Sequence, residues 1–400
     1  MVSSTNPENG EPAPSIRPST AEGIPPGDYL LVGWDMDLTG KKLIDEICQI
    51  ACYTSTSSFA QYVMPFKNLT PPARKRHNLK VVTIGKYRML KNSQTNKVIK
   101  TKSEISAIMD FLDWLENIKG NAKDGIILVH HESRKVNSPI LLDVLIKYKL
   151  LERFKKTVKG FVNGFDVANN KCASTLRAFS LRTLSRIFLD QEVQWDNAAN
   201  RARLVLQIIQ YLSNNEENDK VDIVKKESSD GTSKSTIEFI REFVQPIDAE
   251  EKEYKVLKLV LERQDNLKPL FQPLLQMTRR ERQHASPLRR LLAEANVNYI
   301  QLKNTWSDGQ EIALEKLIKE KLDKATEKEI EDLIVIIESH FDPTKNAAVN
   351  IEHKQKKRGS KKSQDKSKSK TISSCDASPD TTTCSPGKEN FLPRCEVEAK

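Results

Sequence analysis

Residues 29–52 read YLLVGWDMDLTGKKLIDEICQIAC, and this stretch decides the fold of the first half of the chain. An apolar run ends in two aspartates, Asp35 and Asp37, which stand one residue apart. A Leu-Thr-Gly segment and an Asp-Glu pair then lead into a second apolar run. Both runs have the length and composition of buried β-strands. Two carboxylates at the end of such a strand are ligands that a divalent ion favours, so the stretch predicts a strand ending at a candidate metal site.

The pattern around this stretch predicts an α/β domain over residues 28–212. EICQIACYT and FAQYVMPF follow closely and indicate an antiparallel meander. SEISAIMDFLDWLENIK has apolar residues at helical spacing, with Ser103 placed as its N-cap. GIILVHH is typical of a buried strand, whereas PILLDVLIKYKLL, LRTLSRIFL and NAANRARLVLQIIQYL are typical of helices. We therefore expect a mixed sheet with flanking helices.

The second half of the chain predicts a separate all-α module. Residues 213–234 are polar and rich in helix breakers, which is typical of a linker. Residues 235–345 have helical periodicity almost throughout, with Ser286-Pro287 predicted to open one helix. Thr326 and Glu329 have the spacing of a capping box before the last helix, and Asp342-Pro343 follows its end.

Both ends of the chain have the composition of disordered segments. Residues 1–27 contain no apolar core of a signal peptide, and no stretch is apolar enough to span a membrane. Residues 346–400 include KQKKRGSKKSQDKSKSK at 354–370, which supplies nine of the basic residues in a chain of net charge +10. Such an arm favours polyanions such as RNA, although an import signal or a solubilising tail would look the same. The six cysteines form no C-x-x-C pair, so we expect neither a zinc site nor a disulfide framework.

The motif D-M-D-L-T-G followed by DEICQIA resembles the first motif of the DEDD 3′–5′ exonucleases. That family reads D-x-E-T-T-G and then E-I-I-x-I-A, so Asp37 stands where the family has glutamate. The resemblance implies a ribonuclease-H-like fold for residues 28–212. It also implies a site in which four carboxylates hold two divalent ions and a histidine acts as general base.

The second and third motifs of this family are incomplete. The second should read H-N-x-x-F-D, but LVHHESRKV places Lys135 or Val136, depending on the register, at the aspartate position. The third should read H-x-A-x-x-D, but WDNAANRARL places Trp195 at the base position and Asn200 at the last ligand. Asp196 is out of register, and we expect Trp195 to plug the pocket. The sequence therefore predicts an inactive exonuclease fold without metal or cofactor.

Longer segments carry a more specific resemblance, to the exuperantia family of insect maternal proteins involved in mRNA localisation. It extends over residues 28–345. The segments are GDYLLVGWDMDLTGKKLIDEICQIACYT, QYVMPFKNLTPPARKRH, IGKYRMLKNSQT, DGIILVHHESRK, YKLLERF, LERQ and SHFDPTK. The resemblance implies an RNA-binding scaffold of ribonucleoprotein particles, with a sterile-alpha-motif-like fold in the helical module.

Basic side chains supply the candidate RNA contacts, because the planar fork of arginine matches the geometry of phosphate. The segment MTRRERQHASPLRRLLAE gives the first group, unless these residues form a solvated face paired with nearby glutamates. PPARKRHNLK gives a second group. SRK gives a third at the mouth of the former active site, unless Lys135 pairs with Asp35 or Asp37. The candidates are Arg279, Arg280, Arg282, Arg289, Arg290, Arg74, Lys75, Arg76, Arg134 and Lys135.

These observations predict a non-enzymatic, cytoplasmic RNA-binding adaptor of ribonucleoprotein particles. We expect it to bind structured mRNA elements through phosphate and shape contacts. We also expect it to associate as a homodimer and to contact transport proteins, but no membrane. Two alternatives stay open at this point. One is a protein-interaction scaffold without RNA recognition, and the other is a weak metal-dependent 3′–5′ exonuclease.

Overall fold

The computed structural model describes residues 21–120, 122–191, 195–220, 229–323 and 325–342, without the side chains of 215–220 and 229–234. Most of the predicted N-terminal disordered segment and the whole predicted basic tail lie outside these residues. None of the helices in the described part is long and apolar enough to cross a membrane.

The first domain is built on a mixed sheet, as the sequence predicts. The strands are β1 (Tyr29–Leu38), β2 (Ile47–Tyr53), β3 (Ser58–Tyr62), β4 (Leu79–Ile84), β5 (Tyr87–Asn92), β6 (Gly125–His130), β7 (Val158–Asn163) and β8 (Val244–Pro246). Among the described residues, six of them form one sheet in the order β3-β2-β1-β6-β7-β8. The predicted meander is present, because β1, β2 and β3 pair antiparallel. β6 lies parallel to both β1 and β7, and β8 pairs antiparallel with β7.

Helices pack on both faces of this sheet and then form the second module. They are α1 (Pro71–His77), α2 (Glu104–Lys119), α3 (Asn137–Lys147), α4 (Leu151–Thr157), α5 (Gly164–Cys172), α6 (Leu181–Phe188), α7 (Ala198–Lys220), α8 (Ser229–Ile240), α9 (Ile247–Asn266), α10 (Lys268–Leu275), α11 (Arg279–Glu294), α12 (Tyr299–Lys321) and α13 (Glu327–Phe341). The predicted cap of α2 is confirmed, since the Ser103 side chain accepts a hydrogen bond from the backbone N–H of Ser106.

Strand β1 is central and buried along almost its whole length. Successive side chains of a strand point to opposite faces. Val32, Trp34 and Met36 therefore pack in the core under α2, α3 and α4, whereas Leu31 packs in the core under α5, α6 and α7. Asp35, in the same alternation as Leu31, faces α7.

Gly33 brings α7 close to β1. A Cβ atom at Gly33 would lie 2.1 Å from the carbonyl oxygen of Ala202, so any larger residue would push the helix away. Two residues further along β1 comes Asp35, and one residue before Ala202 comes Arg201. The close approach therefore sets the first turns of α7 against the acidic end of β1.

Helices enter the segment of the predicted domain border from both sides. Helix α7 continues to Lys220 and α8 begins at Ser229, so the predicted linker 213–234 is largely helical at both ends, and residues 221–228 lie outside the described residues. Ile237 and Ile240 of α8 pack in a core of the sheet, and so does Tyr254 of α9. Burial of these apolar side chains extends the first domain beyond residue 235, into the first half of α9.

The helical module has its own core, which runs from the second half of α9 to α13. Phe271, Leu292, Leu314 and Ile337 are among its fully buried members. The predicted capping box of the last helix is confirmed, because Thr326 and Glu329 exchange hydrogen bonds. The helix predicted to open at Ser286-Pro287 begins earlier, at Arg279.

That earlier start has a local cause. Thr278 and Glu281 form a full capping box ahead of α11, which fixes the helix start seven residues before Ser286. Pro287 then lies inside the helix on its exposed side. There the backbone carbonyl that loses its hydrogen bond to the proline can face water.

Candidate functional site

The two aspartates of the first motif hold an arginine instead of facing an open pocket. Arg201 Nε lies 2.5 Å from Asp35 Oδ2, and Arg201 Nη2 lies 2.6 Å from Asp37 Oδ1. Its Nη1 donates to the carbonyl oxygen of Trp195 at 2.8 Å, and Nη2 also donates to that of Met36 at 3.3 Å. The guanidinium is thus bonded on every nitrogen, and only 14% of the Arg201 side chain is exposed.

Residues of the sheet and of the preceding loop place Arg201 in this position. Gln49 of β2 is buried, and its side-chain oxygen accepts the N–H of Ala198, the first residue of α7. The Asn197 side chain accepts the N–H of Ala199, as an N-cap residue does. Together with the close contact at Gly33, these bonds fix the first turn of α7 over the acidic end of β1.

His77, the last residue of α1, closes the site from the other side. Its Nδ1 lies 2.7 Å from Asp37 Oδ1, and both side chains are almost fully buried. Asn78 follows with a left-handed backbone and donates a hydrogen bond to Asp196 at 2.7 Å. We call Asp35, Asp37, Arg201 and His77 the closed acidic site.

The aspartates and Arg201 each stabilise the charged form of the other. Burial alone would raise the pKa of Asp37, but the charges of Arg201 and His77 and their hydrogen bonds hold that pKa below its usual value. Burial alone would lower the pKa of Arg201, but Asp35 and Asp37 raise it above its usual value. Both groups are therefore ionised near neutral pH, and each is paired.

A third carboxyl group lies close by but carries little charge. Glu132 follows β6, and its carboxyl accepts the backbone N–H groups of Val136 and Asn137 at the start of α3. Burial raises the pKa of Glu132 to about 8, with a further contribution from Asp35, although those two N–H groups oppose it. Asn137 also donates to Asp35 Oδ1 at 2.9 Å.

Lys135 does not lie in the closed acidic site. Its amine lies 2.5 Å from Glu250 and 2.5 Å from Glu253 of α9, and Glu250 also accepts a hydrogen bond from Ser138. The predicted alternative, an ion pair with Asp35 or Asp37, is therefore wrong. Lys135 instead ties α9 to the loop before α3.

The two substituted positions of the third motif, Trp195 and Asn200, lie close to Arg201. Trp195 is partly buried against the core under α7, and its backbone carbonyl accepts from Arg201. Asn200 lies in the first turn of α7, directly before Arg201. The basic residue that reaches both aspartates is thus one position beyond the predicted ligand.

This arrangement does not fit the two divalent ions that the exonuclease resemblance implies. A hard cation such as Mg²⁺ or Ca²⁺ takes six or more oxygen ligands, whereas both oxygens of Asp35 and Oδ1 of Asp37 already accept hydrogen bonds. Asp37 Oδ2 is the one buried oxygen of the pair without a partner among the described residues. In the described part of the chain, no group of three or more His, Cys, Asp or Glu side chains is arranged to hold a metal ion.

The five predicted arginines of the helical module differ in whether they already have a polar partner. Arg279 and Arg280 are the first two residues of α11; both are exposed, and neither has a polar partner among the described residues. Arg282 donates to the carbonyl oxygen of Met277 at 2.7 Å. We call Arg279 and Arg280 the basic helix start.

The other two arginines of α11 are engaged within the module. Arg289 donates to the carbonyl oxygen of Gln264 at 2.8 Å and lies 3.3 Å from Asp265. Arg290 pairs with Glu294, one turn along the helix, at 2.6 Å. The predicted alternative of a face paired with glutamates therefore describes Arg290, but not the basic helix start.

The basic residues of the first domain lie near the closed acidic site. Arg74, Lys75 and Arg76 are exposed on α1, the helix whose last residue, His77, contacts Asp37. Arg134 is exposed in the loop between β6 and α3. α1 and this loop therefore both carry exposed positive charge and both adjoin segments that contact the closed acidic site.

Sequence reasoning did not identify Arg201, His77, Glu132 or Asn137. One local signal was available for Arg201, since it is a cation one residue beyond a position where the resemblance expects an acid. The pairing itself had no local signal, because Asp35 and Arg201 are 166 residues apart.

Comparison with known proteins gives two family matches. A family model described as the Exuperantia RNAse H-like domain matches residues 29–188, and one described as the Exuperantia SAM-like domain matches residues 268–340. The chain is 36% identical over 360 residues to "Maternal protein exuperantia" of Drosophila virilis, covering 80% of this chain and 71% of the relative. It is 34% identical over 387 residues to the Drosophila melanogaster protein of that name, covering 80% and 70%. The predicted ribonuclease-H-like domain and sterile-alpha-motif-like region are both confirmed.

Proposed function

We propose, from the premise that the chain belongs to the exuperantia family, that it is a maternal, non-enzymatic RNA-binding adaptor. In this proposal it localises mRNA within cytoplasmic ribonucleoprotein particles. It recognises structured RNA through phosphate and shape, because no Phe, Tyr or Trp that could stack on bases lies within three residues of the exposed candidate cations Arg74, Lys75, Arg134, Arg279 and Arg280.

The basic helix start is the observation that carries this proposal. Cations at the N-terminal end of a helix gain nothing from the helix dipole, so Arg279 and Arg280 do not serve the stability of α11. The same end presents backbone N–H groups that have no partner inside the helix. Two free guanidinium groups beside such N–H groups form a surface suited to phosphate oxygens.

The first domain supports a second contact with RNA. Exposed cations on α1 and in the loop after β6 flank the former active site, where Arg201 has neutralised the aspartates that would otherwise repel phosphate. Lys135 is no longer a candidate contact, since two glutamates already neutralise it. The most suitable residues of the first domain for this contact are Arg74, Lys75 and Arg134, which are exposed.

The absence of nuclease activity is part of the proposal. A two-ion mechanism needs acidic ligands that are free to bind both ions. In this chain the guanidinium of Arg201 occupies the two aspartates, and Glu132 is mostly protonated near neutral pH. Among the described residues, the His77 ring beside them is paired with Asp37 and so is not free to activate a water molecule.

We further propose a homodimer that binds RNA and transport proteins together. Two copies joined in one particle would combine weak phosphate contacts into a much higher effective affinity. The basic arm at 354–370, outside the described residues, would add affinity without sequence preference.

The test is the mobility of a labelled stem-loop RNA with the full chain and with a chain that ends at residue 345, in magnesium and at moderate salt. We expect both to retard the RNA and to leave it intact. Retardation by the full chain alone would assign binding to the tail and contradict recognition by the folded domains. Shortened RNA would contradict the non-enzymatic assignment.

A protein-interaction scaffold is the second candidate, because one surface of the first domain exposes large apolar side chains. Phe66 is 82% exposed and Ile44 is 68% exposed. Hydrogen bonds from Lys67 to Glu46 and to the carbonyl oxygen of Ile44 hold their two segments together. Lack of RNA binding by the chain ending at residue 345 would favour this candidate, with this surface as the place to begin.

A further inference from the structure

Four oxygen atoms surround the guanidinium of Arg201. Two are carboxylate oxygens of Asp35 and Asp37, at 2.5 and 2.6 Å, and two are the backbone carbonyl oxygens of Trp195 and Met36, at 2.8 and 3.3 Å. Carboxylate and carbonyl oxygens are also the ligands that Mg²⁺, Ca²⁺ and Mn²⁺ select in proteins. The surroundings of the guanidinium thus have the chemistry of a site for a hard cation.

We infer that Arg201 takes the place of a divalent ion and is the permanent, covalently attached cation of this site. The side chain does what a bound ion would do: it neutralises two buried carboxylates and joins the end of β1 to the first turn of α7. Because it is part of the chain, it cannot be removed by a chelator, and its charge excludes a second cation. This inference does not depend on whether the protein binds RNA.

The charges around the site are consistent with this role. Asp35 and Asp37 bring two negative charges, Arg201 supplies one positive charge, and the His77 ring lies 2.7 Å from Asp37. Glu132, the next carboxyl group, is mostly protonated near neutral pH and so adds little negative charge. One guanidinium and the adjacent imidazole are therefore sufficient to stabilise the two buried aspartates. A site with more ionised carboxyl groups would need the higher charge of a metal ion.

Removal of the Arg201 guanidinium tests this role. Removal of the guanidinium would leave two aspartates and two carbonyl oxygens around a space of side-chain size, which a hard cation with its bound waters can fill. Arg201→Ala should therefore create a cation site that the natural protein lacks. Arg201→Lys should not create it, because a lysine amine keeps a positive charge there.

The experiment measures Mn²⁺ binding to the full chain by electron paramagnetic resonance, which counts free and bound Mn²⁺. Four proteins are compared: the natural chain, Arg201→Ala, Arg201→Lys, and Arg201→Ala combined with Asp35→Asn and Asp37→Asn. We expect Arg201→Ala to bind one more Mn²⁺ per chain than the other three, below about 1 mM free Mn²⁺. Thermal unfolding with EDTA or Mn²⁺ gives a second measurement, in which only Arg201→Ala should be stabilised by the metal.

Two results would overturn the inference: an equal number of Mn²⁺ ions bound by the natural chain and by Arg201→Ala, or an additional ion that persists when both aspartates are changed. If Arg201→Ala is unfolded in EDTA, folding on addition of Mn²⁺ supports the inference, and continued unfolding contradicts it. RNA retardation by the natural chain is unaffected in every case, so failure here is distinct from failure of the proposed function.

Discussion

The closed acidic site and the basic helix start contain the same side chain in opposite situations. Arg201 is buried, bonded on all its nitrogens and surrounded by oxygen, so its charge is used inside the protein. Arg279 and Arg280 are exposed and have no polar partner among the described residues, so their charge is available to a ligand. For the proposed RNA-binding role, the number of basic residues is therefore a poor guide to phosphate contacts. What matters is whether the charge of each one is already neutralised.

The largest expected effect follows from removal of the buried arginine. Arg201→Ala leaves Asp37 buried beside a single imidazole, and loss of one partner of a buried ion pair costs about 3–5 kcal/mol. We expect the free energy of unfolding in EDTA, measured by urea denaturation, to fall by about this amount. Arg182→Ala, at an exposed position of α6, is the matched control and should change it by less than about 0.5 kcal/mol. Equal losses of unfolding free energy in the two variants would show that burial of the charge does not determine the loss.

The second prediction concerns the exposed pair. Arg279→Ala together with Arg280→Ala should weaken stem-loop RNA binding about 10- to 100-fold at moderate salt, which corresponds to about 0.7–1.4 kcal/mol for each lost phosphate contact. The slope of log affinity against log salt should become shallower by about 1.5–2. Fluorescence anisotropy over a salt series measures both quantities. An unchanged salt slope would mean that these arginines do not contact phosphate.

The closed acidic site was only partly predictable from sequence. Asp35, Asp37 and the central strand followed from an apolar run and a local motif, and the capping box of Thr326 followed from spacing alone. Such features depend on neighbours within a few residues. The contacts of Arg201 and Lys135 span 166 and 118 residues and depend on how the helices pack on the sheet, which no local pattern encodes.

The helices at the predicted border also depend on distant contacts. The polar composition of 213–234 indicated a linker, but α7 extends into this segment, and Ile237 and Ile240 of α8 are buried against the sheet. The predicted start of α11 was wrong because two local signals competed. The sequence offered Ser286-Pro287 and Thr278 with Glu281, and the complete capping box satisfied more backbone groups.

A third effect tests the protonated carboxyl beside the closed acidic site. The native pKa of Glu132 is about 8, well above the value near 4.3 of an unfolded glutamate, so the folded state binds this proton more tightly. The stability that this proton confers is fully present below about pH 4 and is lost as the pH rises through 8. Glu132→Gln should therefore gain stability over the natural chain as the pH rises, by about 3–4 kcal/mol between pH 5 and pH 8.

Urea denaturation at several pH values between 5 and 9 measures this difference. Glu320→Gln, at an exposed position of α12, should show the same pH dependence as the natural chain. A Glu132→Gln curve parallel to that of the natural chain would mean that Glu132 is ionised in the folded protein, in which case three carboxylates lie around the Arg201 guanidinium.

The smallest expected effect separates paired from unpaired arginines most directly, because the two residues compared lie on one helix. Arg290 and Arg280 both lie on α11, but Arg290 is paired with Glu294 at 2.6 Å and only 20% of its side chain is exposed. Removing a charge that is already neutralised should hardly change the potential that RNA encounters. We therefore expect Arg290→Ala to weaken RNA binding by less than about twofold and to cost about 0.5 kcal/mol of stability, whereas Arg280→Ala should weaken binding without that cost. If both variants weakened binding equally, RNA would be reading the whole basic face of α11, and pairing within the protein would not decide which arginines bind.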